Sequence, residues 1–216
     1  MPSTDRRIPY GLLVLWAAAV AFGLSRLRAF ESTPDAVGTV PAVWPANVGV
    51  ARSDGSPALV LAVHPRCPCS RATIGELAKL MTDCRGRVTA TVLMLRPAGV
   101  PAGWERTGLW DAAAAIPGVT VVADDAGRAA GRFGAATSGQ ALLYGADGRL
   151  LFAGGITESR GHSGDNAGRS ALTASILGGA PTDTSAVVRT PVYGCPLFDL
   201  PTTCTSKEGP PACHTK

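Results

Sequence analysis

Charge is scarce in this chain. Asp, Glu, Lys and Arg make up 17% of its 216 residues, against a usual share of about 25%. The mean hydropathy lies above zero, which points to a membrane segment or an exported chain. There is no Gly-X-Y period, no sustained heptad and only one long apolar run. Collagen, coiled coil and multi-span membrane protein are thereby excluded. A dense Lys/Arg stripe with interleaved aromatics is also missing. The 20 basic and 16 acidic residues are scattered, for a net charge of +4, so nucleic acid is not an expected partner. At 46% apolar, the composition excludes long disorder as the main feature. With the apolar run and a polar tail set aside, about 130 residues remain, enough for one domain with its own core.

The one long run is Ile8 to Ser25, eighteen residues without a charge. As a helix it would measure about 27 Å, just enough to cross a bilayer core. Arg6 and Arg7 precede it and favour a cytoplasmic N-terminus; Arg26 and Arg28 follow and blur that bias. A signal anchor is the favoured reading, with a cleaved signal peptide as the alternative, because small residues crowd Ala17 to Ala21. Both place the remainder outside the cytoplasm. The expected location is the cytoplasmic (inner) membrane, single-pass, with the domain on the extracytoplasmic side.

Export makes disulfides available to the six cysteines. Cys67 and Cys69 form a tight pair, Cys84 stands apart, and Cys195, Cys204 and Cys213 recur at C-x8-C-x8-C in a Pro/Thr-rich tail. The organisation expected is an anchor over 1–30, a Pro-rich lead-in over 31–57 with Trp44 as a hydrophobic plug, a domain over 58–180 and an irregular tail over 181–216. Within the domain, Ala58 to Val63 reads as a strand buried on both faces. A helix is predicted from about Ser70 to Asp83, where Ile74, Leu77, Ala78 and Met81 share one face, and Gly86 ends it. Val88 to Leu95 and Val119 to Ala123 are strands, with a helix around Trp104 to Ala115 between them. A weakly helical segment over Asp125 to Phe133 follows. Ala141 to Tyr144 and Leu150 to Ala153 form a hairpin around Gly145 to Gly148. Asp165 or Asn166 caps a helix over Ala167 to Leu177. Alternating elements of this kind argue for an α/β fold with a mainly parallel sheet covered on both faces; the late hairpin makes it mixed.

Three stretches carry a resemblance: V-H-P-R-C-P-C-S-R-A, V-V-A-D-D-A-G-R-A-A-G-R-F-G-A and L-L-Y-G-A-D-G-R-L-L-F-A-G-G. Together they resemble the thioredoxin superfamily, in its membrane-anchored thioredoxin-like and peroxiredoxin-like branch. With G-G-I-T-E-S-R-G-H-S-G-D-N-A-G-R and Y-G-C-P-L-F added, the chain is similar to bacterial proteins sometimes labelled RedB, over about residues 40 to 199. The resemblance implies a thioredoxin-like mixed sheet flanked by helices and thiol chemistry at Cys67 and Cys69. Two departures stand out. Thioredoxins place a second cysteine where this chain has Ser70, and a cis-proline where it has Gly139. The latter departure weakens ordinary dithiol exchange and favours a metal or peroxidase-like site.

Residue chemistry supports Cys67 as the reactive thiol. Pro68 suits the first helical position, which makes Cys67 the N-cap. A thiolate there accepts backbone N–H groups at the positive end of the helix dipole, so a lowered pKa and a partly exposed sulfur are expected. Arg66 and Arg71 add positive charge. Side chains two apart on a helix do not face each other, so a Cys67–Cys69 disulfide needs the first turn unwound, with Ser70 or Thr73 as the true cap and Thr73 with Glu76 as a capping box. The alternative is a soft-metal site for Cu(I), built from Cys67, Cys69 and either His162 or His64; inert thiols are the third reading. Topology brings the Gly154 to Asn166 loop beside Cys67, so Arg160 and His162 are expected neighbours. His64, three residues before Cys67, is a packed strand-end residue or a tuner of the thiol. Cys84 lies one helix away, too far to pair with Cys67. Cys195, anchored by Leu197 and Phe198, is the tail cysteine best placed to dock; a structural disulfide or a free thiol is the favoured reading of it, and a resolving role the alternative. The catalytic residues expected are Cys67 and Cys69, supported by His64, Arg66, Ser70, Gly139, Arg160 and His162. No cofactor is expected outside the copper alternative. The expected partner is an exported thiol or disulfide protein, with a peroxide as another substrate.

Overall fold

The computed structural model describes residues 10–52, 55–178 and 187–198. Cys204 and Cys213 lie outside them. The apolar run forms α1 (Tyr10–Ser32). At 1.5 Å per residue its 23 residues span about 34 Å. None of α1 is buried, so it is a candidate membrane segment by length and apolarity.

The domain follows as β1 (Ala58–Val63), α2 (Cys69–Asp83), β2 (Thr89–Arg96), α3 (Gly108–Ala114), β3 (Val119–Asp125), α4 (Arg128–Arg132), β4 (Gln140–Tyr144), β5 (Leu150–Gly154) and α5 (Ala167–Leu177). A two-residue β6 (Val188–Arg189) closes the series, where the sequence shows no periodicity. The sheet order is β3-β2-β1-β4-β5-β6. β1 is parallel to β2 and antiparallel to β4. β2 is parallel to β3, and β4 and β5 form the hairpin.

β1 lies at the centre because every one of its residues is apolar and buried. Alternate side chains go to opposite faces. Leu59, Leu61 and Val63 join Ile74, Leu77 and Leu80 of α2 and Leu172 and Ile176 of α5 on one side. Val60 and Ala62 join Phe133, Leu142 and Tyr144 on the other. The second face is covered in part by the Pro-rich lead-in, whose Trp44 packs edge-on against Phe133 and Tyr144. Val40, Trp44, Val48 and Val50 of the lead-in thus pack on the domain, because the second face of the sheet has otherwise only the short α4 to cover it. The helix predicted around Trp104 shrinks to seven residues. Trp104 stays in the loop before it, and Thr107 caps the helix by accepting the Leu109 N–H.

α5 matches its predicted bounds, with Asn166 as the cap accepting the Arg169 N–H at 2.7 Å. The Thr73–Glu76 capping box does not form. Glu76 is fully buried and binds Lys79 Nζ and Arg169 Nε, each at 2.8 Å. It also accepts the Gly164 N–H at 3.0 Å. One carboxylate thus joins α2 to the loop before α5.

Candidate active site

The chain leaves β1 at Val63 and enters α2 at Cys69, so His64 to Pro68 form the turn between a central strand and a helix. Two turn hydrogen bonds shape it: Cys67 N–H to the His64 carbonyl (3.2 Å) and Ser70 N–H to the Cys67 carbonyl (3.1 Å). Neighbouring segments hold it in place. His64 N–H donates to Ser138 Oγ at 2.8 Å, and Ser138 Oγ lies 2.7 Å from Ser70 Oγ. Thr107 Oγ1 donates to the Pro65 carbonyl at 3.2 Å. Arg66 stacks over Trp104, 4.2 Å from the ring centre, and His64 meets the same ring edge-on. Burial and the Arg66 charge hold the His64 pKa below its usual value, while its Nδ1 accepts the Arg66 N–H. A neutral imidazole of this kind packs the turn and adds no positive charge to it.

Cys67 is the meeting point of two distant segments. Its Sγ lies 2.8 Å from Cys195 Sγ. Burial pushes the Cys67 pKa up, but hydrogen bonds from the side chains and backbone of Cys195 and Ser70 outweigh it, and the net direction is down. Cys195 moves the other way, raised by burial, by its hydrogen bond to Cys67 and by the nearby charges of Cys67 and Cys69. The Cys69 pKa is also raised, by burial and by the charge and hydrogen bond of Cys67, partly offset by Arg160. The surroundings therefore favour the thiolate at Cys67 and disfavour it at Cys69 and Cys195. Replacing Ser70 by alanine removes one donor, so Ser70→Ala should raise the Cys67 pKa, as read from the ultraviolet absorbance of the thiolate against pH.

Cys67 is 4% exposed, where the sequence led to a partly open sulfur. Cys195, carried by segment 192–198, stands against the sulfur; Cys67 belongs to neither core cluster. Arg160 is beside the thiols, as topology predicts. Its charge bears on Cys69 and Cys195, and its guanidinium binds Asp35 Oδ1 at 2.6 Å and the Gly194 carbonyl. His162 is exposed, and no described hydrogen bond links its ring to a sulfur. Among the described residues, no group of three or more His, Cys, Asp or Glu side chains is set to hold a metal ion. The copper donor set built on His162 or His64 is not assembled. Cys84 is buried in the first core cluster at the far end of α2.

A sheet of this order, with the cysteine turn leaving a central strand and the hairpin edge beside it, decides the architecture. The fold is thioredoxin-like. No family profile and no curated protein matches the chain. Among solved structures it is similar to a hypothetical protein of Sinorhizobium meliloti, with 23% identity and a TM-score of 0.55 over 77% of this chain and 96% of that one. An uncharacterized conserved protein of Geobacillus kaustophilus shows 19% identity and a TM-score of 0.54, over 80% and 96%. A secreted disulfide oxidoreductase of Mycobacterium tuberculosis homologous to E. coli DsbE shows 17% identity and a TM-score of 0.42, over 58% and 83%.

Both departures from the thioredoxin-like pattern have physical content here. Ser70, at the usual second-cysteine position, is buried and bonded to Ser138. Gly139 has φ +93° and donates its N–H to the Ala62 carbonyl at 2.8 Å. Proline, with φ near −65° and no N–H, cannot take that conformation or that bond. Three residues escaped sequence reasoning. Ser138 adjoins the flagged Gly139 and was within reach of it. Trp104 lies in a loop without a motif, and Asp35 in a lead-in that reads as irregular.

Proposed function

We propose that the chain is an exported, membrane-tethered thiol–disulfide exchange protein of the RedB-labelled kind. In this reading α1 sits in the cytoplasmic membrane and the domain on its outer side. Cys67 is the nucleophile and Cys195 the sulfur that pairs with it, in the role of the missing second cysteine. The observation that carries the reading is the 2.8 Å approach of the two sulfurs at a helix N-terminus, with Cys67 shifted toward thiolate and Cys195 toward thiol. The Cys67 thiolate attacks a partner's disulfide, forms a mixed disulfide and releases the partner's second sulfur as a thiolate. Cys195, once deprotonated, attacks Cys67 Sγ and releases the partner's first sulfur. The partner leaves as a dithiol and this chain as the Cys67–Cys195 disulfide; the reverse sequence oxidises a partner. Cys69 sits close to Cys67 as a third thiol, and Arg160 offsets the negative charge that gathers there.

Disulfide mapping by mass spectrometry of the full-length oxidised protein tests the assignment. A Cys67–Cys195 linkage is expected, retained in Cys69→Ser and lost in Cys195→Ser. A Cys67–Cys69 linkage in the parent protein would return the role of pairing sulfur to Cys69.

A further inference from the structure

Segment 192–198 does more than carry a sulfur. It runs antiparallel to residues 136–138, with Thr137 bridged to Pro196. Ser138 N–H donates to the Cys195 carbonyl at 2.8 Å, and Leu197 N–H donates to the Ala136 carbonyl at 2.9 Å. These are strand-addition bonds, made by backbone and open to any extended peptide. Side chains set the register. Leu197 is buried in the second core cluster. Gly194 is buried against Ser138, whose carbonyl stands where a Cβ would have to go. At the other end Asp35 accepts the Gly194 N–H at 2.8 Å and donates its own N–H to the Val192 carbonyl at 2.8 Å.

We infer that residues 192–198 are an internal strap occupying the groove that recognises the substrate, and that the substrate is an extended segment with glycine before its cysteine and an apolar residue two positions after it. The chemistry at the groove rests on the thiol-exchange reading; the binding does not. With the strap in place Cys67 is covered, so the strap lifts before the substrate cysteine can take the position of Cys195. The Cys67 thiolate attacks that cysteine within its disulfide, and the second substrate sulfur departs as a thiolate and takes a proton. When the strap returns, Cys195 attacks Cys67 Sγ and expels the substrate cysteine. Two protein thiols are oxidised to one disulfide and one substrate disulfide is reduced to two thiols. Arg160 and Asp35 tie the strap to the end of α1. Arg160 donates from Nε to the Phe30 carbonyl at 2.9 Å and stacks on the Phe30 ring. The groove therefore sits close to the end of the anchor.

The test uses the reduced full-length protein in detergent and a fluorescent peptide copying residues 192–198 with serine in place of the cysteine. A tethered occupant acts at high effective concentration, so binding to Gly194→Ala should exceed binding to the parent by at least about tenfold. Maleimide labelling of Cys67 should accelerate by at least about tenfold in the same variant, because the expelled strap no longer shields the sulfur. Leu197→Asp, which withdraws the apolar anchor, should do the same and serves if Gly194→Ala does not fold. A peptide with alanine in place of glycine should bind neither variant. Equal labelling of Cys67 in the parent and both variants overturns the strap. Equal binding of the glycine and alanine peptides overturns the register. Because the serine peptide cannot exchange disulfides, the two readings fail separately. Peptide binding without a Cys67–Cys195 disulfide removes the redox reading alone, and the disulfide without peptide binding removes the groove alone.

Discussion

Cys67→Ser is expected to abolish mixed-disulfide formation with oxidised glutathione, slowing it by at least about a thousandfold. The reason lies in the division of labour among the sulfurs. Disulfide exchange needs a thiolate, and among the described cysteines the surroundings favour that form at Cys67. Its sulfur collects hydrogen bonds from Ser70 and Cys195 that outweigh the cost of burial, while Cys69 and Cys195 are pushed toward the protonated form. A serine hydroxyl at residue 67 keeps the shape and loses the nucleophile. The pH dependence carries the same signature. A lowered pKa keeps Cys67 reactive as pH falls below the usual thiol range. Cys195→Ala removes the hydrogen bond from the neighbouring thiol and should move the reactivity profile to higher pH. Cys84→Ala should leave the exchange rate unchanged, since Cys84 lies in the core at the other end of α2. Mass-spectrometric kinetics of glutathione adducts across pH measure all three variants. A Cys67→Ser protein that exchanges at the parental rate would transfer the nucleophile to another sulfur.

The second large effect concerns stability. Glu76→Gln should destabilise the domain by about 3–5 kcal/mol, the cost of breaking a buried ion pair and stranding its partner. For a domain of this size that lowers Tm by about 6–20 °C. The Glu76 side chain is fully buried, and Arg169 opposite it is only 16% exposed. Glutamine keeps the volume and some hydrogen bonds but leaves the Arg169 guanidinium without its buried counter-charge, with only Asp83 and Asp165 at the solvent edge to balance it. The carboxylate also holds Gly164 and Asn166, so its loss loosens the loop that carries Arg160. Burial alone would raise the Glu76 pKa. Lys79, the Gly164 N–H and Arg169 outweigh it, and the net direction is down. A depressed carboxylate pKa contributes stability that is present above the ordinary glutamate range and is lost as pH falls through the folded-state value. The parent should therefore lose stability on the acid side with a component that Glu76→Gln lacks. Calorimetric melting of both proteins from neutral to acid pH checks the size and the slope. A difference of less than 1 °C at neutral pH would show that the ion pair contributes no net stability.

Much of the framework follows from neighbours along the chain. Ala58 to Val63 is apolar at every position, and only a strand sandwiched between two covered faces uses such a run. Asn166 before an amphipathic stretch and Gly178 after it delimit α5 without help from any contact. Pro68 between two cysteines marks the strand-to-helix turn, although the helix opens one residue later than the sequence implies: Pro68 itself takes the cap position expected of Cys67, because its fixed φ is already helical and α2 begins at Cys69. Each of these signals acts within about one helical turn or along one strand, the range over which backbone geometry and side-chain periodicity operate.

The assignments that failed needed information from further away. Cys67 reads as an open sulfur because its own segment is polar and follows a strand, yet Cys195, 128 positions later, stands against it. His162 reads as a neighbour of the thiols because its loop ends at the right edge of the sheet, but the side chain that reaches them is Arg160. Loop topology sets which segment arrives, and only packing sets which residue turns inward. The lead-in, by contrast, reads as irregular because proline and glycine break its periodicity, and its Trp44 is the hydrophobic plug expected of it. It packs because α4 is too short to cover Phe133 and Tyr144.

By itself, then, the sequence determined an apolar N-terminal helix, an alternating α/β domain and a cysteine at a strand-to-helix turn, all of them products of local pattern. Tertiary structure alone decided that Cys195 faces that cysteine, that Asp35 and Arg160 grip its segment and that Gly194 passes the Ser138 carbonyl. Those contacts rest on backbone bonds, single side chains and a missing Cβ, none of which leaves a period in the chain.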